Sequence, residues 1–369
     1  MGKQLVLVGG GHAHMVTIAN LRAFVEKGHR VTVIAPSEHH YYSGMGPGLL
    51  GGTYSPSDVR FATKQTVEKQ GGVFVMGKAA RVRPAEKRIE LESGETVSYD
   101  LVSFNVGSDV PKVNGSEGAE NLYPVKPIEN LIKAQAGIRS LVSRKPAAIG
   151  IIGGGPSSSE IAGNILHLTS GYANRPRVKI FARGGLMAGF PEGVRTRIEK
   201  SLMSRGVEIH RNACVQVVER GGILLESGER HDLDFIFLAV GVRPNALFER
   251  SGIQTGPDGG MAVNSFLQST AYPEMFGGGD CIYFQEQPLD KVGVYAVRQN
   301  PVLFQNLISG LEGKPLRAFS PGGDYLLIFN MGGGKGVLRK KGLTFGGRVA
   351  FLLKDYIDRK FMKKFQAIE

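Results

Sequence analysis

The sequence predicts an α/β protein made of two Rossmann-like dinucleotide-binding domains, the first discontinuous, followed by a small C-terminal β/helix region. Three observations carry this. A short apolar strand at the start of the chain runs into a glycine-rich turn and a helical stretch. The same order of parts recurs from residue 148. A third glycine turn, Gly277-Gly278-Gly279-Asp280, stands far along the chain, where a first domain interrupted by a second would resume.

The elements follow in order. Gln4-Leu5-Val6-Leu7-Val8 leads into Gly9-Gly10-Gly11-His12-Ala13-His14, a helix over 15–27, and the strand Arg30-Val31-Thr32-Val33-Ile34. The second copy reads Ala148-Ile149-Gly150-Ile151-Ile152, then Gly153-Gly154-Gly155-Pro156, a helix over 159–168, and Arg177-Val178-Lys179-Ile180-Phe181. Strand, turn, helix and strand within about 30 residues is the βαβ unit of a dinucleotide fold. An antiparallel excursion is expected after each copy, over 72–97 with a turn at Ser93-Gly94 and over 209–226 with one at Ser227-Gly228. Each half then closes on a buried-type strand ending in glycine, 99–107 and 233–241. A duplicated order of parts argues for a repeated domain rather than a chance glycine cluster. The crossover is expected at 124–127 with a helix over 128–142. After Asn264 a strand at 275–276 and a helix over 293–308 complete the first domain. The boundaries are thus 1–111 with 264–320 for the first domain, 112–263 for the second and 321–369 for the tail, which carries a β pair (324–329, 336–339), Gly346-Gly347 and an amphipathic helix.

Composition narrows the partners. Among 369 residues, 42 % are hydrophobic and 21 % charged, a globular balance. The 52 glycines follow no collagen-like period, which places them at tight turns and close backbone approaches. A net charge of +12, from 45 Lys+Arg against 33 Asp+Glu, favours anionic partners such as dinucleotides or acidic lipid. Nucleic acid is not expected, because no aromatic platform or recognition motif accompanies the charge. Cys214 and Cys281 are too far apart for a CxxC pair and too few for a zinc site or disulfide framework. The first residues lack the charged and apolar regions of a secretory signal, and no apolar run approaches membrane-spanning length, so a cytoplasmic protein is expected.

Each motif has its own chemistry. Gly9 and Gly11 let backbone N–H groups approach a pyrophosphate at a helix N-terminus, although His14 stands where a third small residue is usual. The acid expected after the next strand is replaced by Ala35-Pro36, leaving Ser37 or Glu38 for the ribose. Asp280, following Gly279, is placed to accept hydrogen bonds from a ribityl chain or simply to cap a helix. The second turn, Gly153-x-Gly155-x-x-Ser158, suits a nicotinamide dinucleotide. Ala182 at its acidic position with Arg183 beside it suits a 2′-phosphate, hence NADPH over NADH; a degenerate, empty domain is the alternative. Glu160, inside the second helix, is either favoured there by the helix dipole or handles protons near the nicotinamide. His12, His14, His39 and His40 cluster without the carboxylate or cysteine spacing of a metal site, so no metal is expected and they read as surface or cofactor-lining residues. In the tail, Val349, Ala350, Phe351, Leu352, Leu353, Tyr356, Ile357, Phe361, Met362 and Phe365 recur at helical spacing, with Lys354, Arg359, Lys360, Lys363 and Lys364 on the other side. That pattern suits an anionic membrane surface, docking on its own domain, or burial in a homodimer.

The whole constellation resembles the two-dinucleotide-binding-domain flavoproteins, in particular the branch of type II NADH:quinone oxidoreductase and sulfide:quinone oxidoreductase. The residues that carry the likeness are 8–14, 152–160, Ala239-Val240-Gly241-Val242-Arg243-Pro244-Asn245, 277–280 and Lys291-Val292-Gly293-Val294-Tyr295-Ala296-Val297-Arg298-Gln299. Residues 42–49 and 357–362 resemble a less characterised subgroup, some of whose members are linked to selenophosphate synthetase. The resemblance implies FAD held by Gly9, Gly11 and Asp280, with His12, Val106, Gly107 and Gly279 in the same site. It implies a nicotinamide facing Gly153, Gly155 and Glu160, and a quinone near Ala296 and Gln299. It also implies a tail that contacts membranes, hence a peripheral position on the inner face. The departures are Ala35, Ala182 and His14, together with the missing cysteines of sulfide oxidation and of a dithiol near 42–48. The expected function is an FAD enzyme passing electrons from NADH or NADPH to a quinone-type acceptor. The alternatives are oxidation of a sulfur or selenium compound without NAD(P)H, and a non-enzymatic FAD-binding redox sensor.

Overall fold

The computed structural model describes residues 2–369. Its frame is a pair of five-stranded parallel sheets. The first runs Met275–Gly277, Leu101–Phe104, Gln4–Val8, Arg30–Ala35, Val73–Met76. The second runs Leu122–Pro124, Phe235–Leu238, Ala148–Ile152, Arg177–Ala182, Glu208–Arg211. Central strands are buried along almost their whole length, as parallel strands covered on both faces must be. In each sheet the strand leading to the glycine turn lies between the following strand and the closing strand. Chain direction away from the sheet therefore reverses there, leaving a crevice at the carboxyl ends.

Side-chain packing closes both layers. Leu5, Leu7, Phe24, Phe104 and Phe276 fill the first core with Leu303 and Leu307 of the helix Gly293–Glu312. Ile149, Ile151, Ile161, Ile165, Phe235 and Phe237 fill the second with Leu131, Ala134 and Ile138 of the helix Glu129–Val142. Three-stranded antiparallel sheets follow each edge strand: Ala79–Arg83, Arg88–Leu91, Thr96–Ser98, and Val215–Glu219, Gly222–Leu225, Arg230–Asp232.

Several elements depart from the sequence reading. The helix expected over 15–27 begins as a 3-10 turn, His12–His14, and breaks between Met15–Ala19 and Arg22–Val25. The Asn20 side chain donates to the Val16 carbonyl at 2.7 Å, competing with the helical ladder. Residues 73–76 and 209–211, assigned to antiparallel excursions, join the main sheets in the parallel edge strands Val73–Met76 and Glu208–Arg211. The tail holds a third strand, Leu343–Gly347, paired with Gly336–Lys340, and this strand includes Gly346 and Gly347.

The C-terminal helix, Arg348–Gln366, divides the expected apolar set between interior and surface and takes one of the expected basic residues inward. Ala350, Lys354, Asp358, Met362 and Phe365 are buried, whereas Val349, Leu352, Leu353, Tyr356 and Ile357 are exposed. The surface beneath is partly polar. Lys354 donates to the Gly44 carbonyl at 2.8 Å and to Asp358 at 2.7 Å, and Tyr42 donates to Asp358 at 3.2 Å. A lysine and a carboxylate that neutralise each other there can be buried where either alone could not.

Candidate functional site

The glycine turns of both domains open into one cavity of about 1560 Å³. Each turn is built the same way. Gly9 has φ +97°, and a Cβ there would lie 2.2 Å from the Asn105 carbonyl oxygen; Gly153 has φ +130° and would meet the Ala239 carbonyl oxygen at 2.2 Å. The first glycine of each turn thus lets the chain press against the end of its neighbouring strand. Among the described residues, no protein acceptor takes the N–H of Gly10, Gly11 or His12, or of Gly154 or Gly155. Free donors at a helix start are an anion site. Gly155 has ordinary extended geometry and open space where its side chain would be.

The third turn meets the first through Asn105, which sequence reasoning missed. Its Nδ2 donates to the Gly278 carbonyl at 2.7 Å and its Oδ1 accepts from the Ala13 N–H at 3.1 Å. Asp280 accepts from Ser108 at 2.7 Å and from Lys126 at 2.9 Å. Burial pushes its carboxyl up, but the Lys126 ammonium and the two hydrogen bonds hold it below the usual carboxylate range. Lys126 was also missed; only the fold brings it to Asp280.

The cavity brings together Gly9, Gly11, His12, Val106, Gly107, Gly153, Gly155, Glu160, Arg183, Gly279, Asp280 and Ala296. Gln299 does not line it. That side chain is almost wholly buried and accepts from the Gly279 N–H at 2.7 Å, so it braces the Asp280 turn from behind. Ser37 lines the cavity, whereas Glu38 is tied to Lys64 at 2.8 Å outside it; Glu92, from the excursion, reaches the same end. His14 points away, with Nδ1 2.6 Å from the Gly9 carbonyl oxygen and Nε2 2.8 Å from Ser103 Oγ. It takes the third glycine's place by packing inside the turn.

Glu160 sits on the cavity wall, one carboxyl oxygen accepting from the Asn330 N–H at 2.7 Å. Burial pushes it up to about 7, against the opposing pull of Lys354 and the Asn330 bond. A carboxyl raised above its unfolded value favours the protonated form, so the stability it costs appears as pH rises from its unfolded value of 4.5 through 7. Glu160→Gln is therefore expected to raise the melting temperature relative to the parent at pH 8 and not at pH 4, read by thermal unfolding at both.

The thiols are not arranged for redox exchange. Cys281 is fully buried, and burial raises it to about 11. Cys214 donates to Glu226 at 2.9 Å. Both are free, and among the described residues no cluster of His, Cys, Asp or Glu could hold a metal ion.

The residues fit a flavin dinucleotide. The free amides at the first turn, the Asp280 carboxylate and the open space at Gly107 are groups that would hold its diphosphate, its polyol and its ring system. The cavity is above the usual range for one small ligand, with room left at the other turn for a second one. The match to the pyridine nucleotide-disulphide oxidoreductase family spans residues 3–303. The chain belongs to that family. Among its relatives, ferroptosis suppressor protein 1 of Taeniopygia guttata is 23 % identical, over 93 % of this chain and 90 % of that one. Type II NADH:quinone oxidoreductase of Staphylococcus aureus is 24 % identical, over 99 % of this chain and 96 % of that one. The sulfide:quinone oxidoreductase of Aquifex aeolicus superposes with a TM-score of 0.80 at 17 % identity, covering all of this chain and 92 % of that one. Membership makes this an NAD(P)H-linked flavin oxidoreductase family fold without the dithiol that the family name records. No helix among the described residues is long and apolar enough to cross a membrane.

Proposed function

We propose that the chain holds FAD at the Gly9–Gly11 turn, takes hydride from NAD(P)H at the Gly153–Gly155 turn, and passes electrons to a quinone-type acceptor. The observation that carries this reading is the single cavity into which both turns open, with Glu160 on its wall. Bound flavin supplies the redox chemistry; the protein supplies orientation and charge. Lys126 keeps Asp280 ionised as a hydrogen-bond acceptor, the turn amides fix both diphosphates, and Glu160, near neutrality in pKa, gives or takes a proton at ordinary pH. The relative of nearly full length that is named for NADH and quinone supports the donor and acceptor classes. The inert Cys281 and the carboxylate-bound Cys214 speak against oxidation of a sulfur compound.

Anaerobic stopped-flow with each nucleotide tests the donor half: flavin absorbance should fall with NADPH or NADH, and an unbleached spectrum with both would end this reading. Arg183 is exposed at the cavity edge beside Ala182, with no carboxylate at that strand end to receive a ribose hydroxyl. NADPH is the better donor on this arrangement. Arg183→Ala is expected to lower kcat/KM for NADPH about tenfold, the loss of one charged contact, and to change that for NADH little.

The outward face of the C-terminal helix sets Leu352, Tyr356 and Ile357 beside Arg348, Arg359, Lys360, Lys363 and Lys364, a composition that suits anionic headgroups. Deleting the helix would damage the fold that Met362 and Phe365 complete, so point changes are the cleaner probe. Leu352→Glu with Ile357→Glu is expected to abolish sedimentation with anionic liposomes at unchanged melting temperature. Retained binding would assign that face to another role.

A further inference from the structure

The imidazole rings of His12 and His40 take no part in either glycine turn, although the His12 N–H belongs to the first. His12 leaves the first turn and lines the cavity, only 8 % exposed. Its ring stands edge-on to His40 at 4.9 Å, lies 5.1 Å from Tyr42 and stacks on Phe361 at 6.1 Å. Nδ1 of His12 is 3.4 Å from Nε2 of His40, and His40, half-buried, also lines the cavity. Nε2 of His12 is buried and has no hydrogen-bond partner. A buried polar atom without a partner, on a residue that lines a cavity, is costly unless a ligand satisfies it. The charged neighbours are already engaged: Asp280 with Lys126 and Ser108, and the Tyr42 hydroxyl with Asp358. Burial keeps both rings neutral, lowering His12 to about 4 and His40 well below its ordinary value; Asp280 opposes this at His12, and Lys126 reinforces it at both. A neutral donor among aromatic rings suits a flat, weakly polar molecule with a carbonyl oxygen at its edge.

We propose that His12 meets an oxygen of the quinone-type acceptor through Nε2 and that His40 positions His12, the two rings together delivering one proton from solvent to the reduced acceptor. This rests on the proposed function above. Reduction of a quinone to its dihydro form takes two electrons and two protons. NAD(P)H supplies a hydride, which is two electrons and one proton, so each acceptor reduced requires one further proton. His12 gives its Nε2 proton to the acceptor oxygen and receives the Nε2 proton of His40 at Nδ1; His40 takes one from water at its own Nδ1. Exchange with water between turnovers restores the starting tautomers.

The test compares two acceptors on the flavin-loaded enzyme: a short-chain ubiquinone, which takes up protons, and ferricyanide, which takes one electron and none. His12→Phe keeps an aromatic ring and removes both nitrogens; the ratio of quinone to ferricyanide turnover should fall about 100-fold, with a raised quinone KM. His12→Gln, which retains a donor but cannot relay, should recover KM and not kcat. His40→Gln should lower the same ratio about tenfold with little change in KM. Unaltered ratios in His12→Phe and His40→Gln overturn the proposal. If the His12 variants fail to retain flavin, an unaltered ratio in His40→Gln overturns it alone. A parent enzyme whose flavin is bleached by NAD(P)H but not reoxidised by the quinone instead overturns the acceptor assignment beneath it.

Discussion

Gly155→Val is expected to leave the protein folded and its flavin bound while reducing the rate of flavin reduction by NAD(P)H at fixed nucleotide concentration about 100-fold. Gly155 has φ −88° and ψ −175°, a conformation valine adopts readily, and a Cβ there meets no protein atom within 4 Å. The space is free of protein because it belongs to the cavity, so the added isopropyl group intrudes where a diphosphate must approach the amides of Gly154 and Gly155. Loss of close backbone contact with that group, worth two or three charge-assisted hydrogen bonds, sets the magnitude. Gly9→Val is the contrasting case. It forces a β-branched residue to φ +97° against a carbonyl oxygen at 2.2 Å and should damage the fold as well as the site. Circular dichroism, flavin content and anaerobic reduction rates on the two variants separate the effects. A Gly155→Val protein reduced as fast as the parent would mean that the second turn holds no nucleotide.

Lys354→Met should destabilise the fold by about 3–5 kcal/mol at neutral pH, since it strands a buried carboxylate. Asp358 is 4 % exposed, and burial already raises its carboxyl despite the opposing Lys354 ammonium and the Tyr42 hydroxyl. Without the lysine, Asp358 must ionise alone or protonate. The raised folded-state value means that the penalty grows as pH rises above the unfolded value of 3.8, so the loss should shrink towards acid pH. Lys354 also pulls Glu160 down, so its removal should push the Glu160 carboxyl higher still. The double change Lys354→Met with Asp358→Leu should recover much of the stability, because removing both charges spares their desolvation. Chemical denaturation of both variants at pH 5 and 8 checks the magnitude and the sign.

Both predictions come from opposite ends of what the sequence made legible. The glycine turns were visible because tight backbone approach and free amides require glycine at those positions, and continuous apolar runs flank them. The paired parallel sheets followed from the repeat. The break in the first helix was not visible, because Asn20 turning onto Val16 is a local competition that periodicity does not register. Asn105 and Lys126 escaped for a different reason: they act across 173 and 154 residues, on Gly278 and Asp280, and no spacing rule joins positions so far apart. The C-terminal helix was legible only in part: of its apolar positions Ala350, Met362 and Phe365 go inward together with Lys354, while Leu352, Tyr356 and Ile357 stay outward. Its apolar stripe and basic residues are genuine, but hydropathy assumes an apolar partner surface, and this one presents the Gly44 carbonyl and the Tyr42 and Tyr54 hydroxyls. Gln299 was drawn to the cavity by its motif, whereas its amide is spent on the Gly279 N–H.

The decisive measurement is the identity and stoichiometry of what the purified chain releases on boiling, resolved by chromatography against flavin standards. The account predicts a yellow protein giving one FAD per chain, with uptake of FAD and not of FMN by stripped protein, because the first turn grips a diphosphate. Colourless protein that takes up no FAD, or yellow protein that releases FMN, would contradict it.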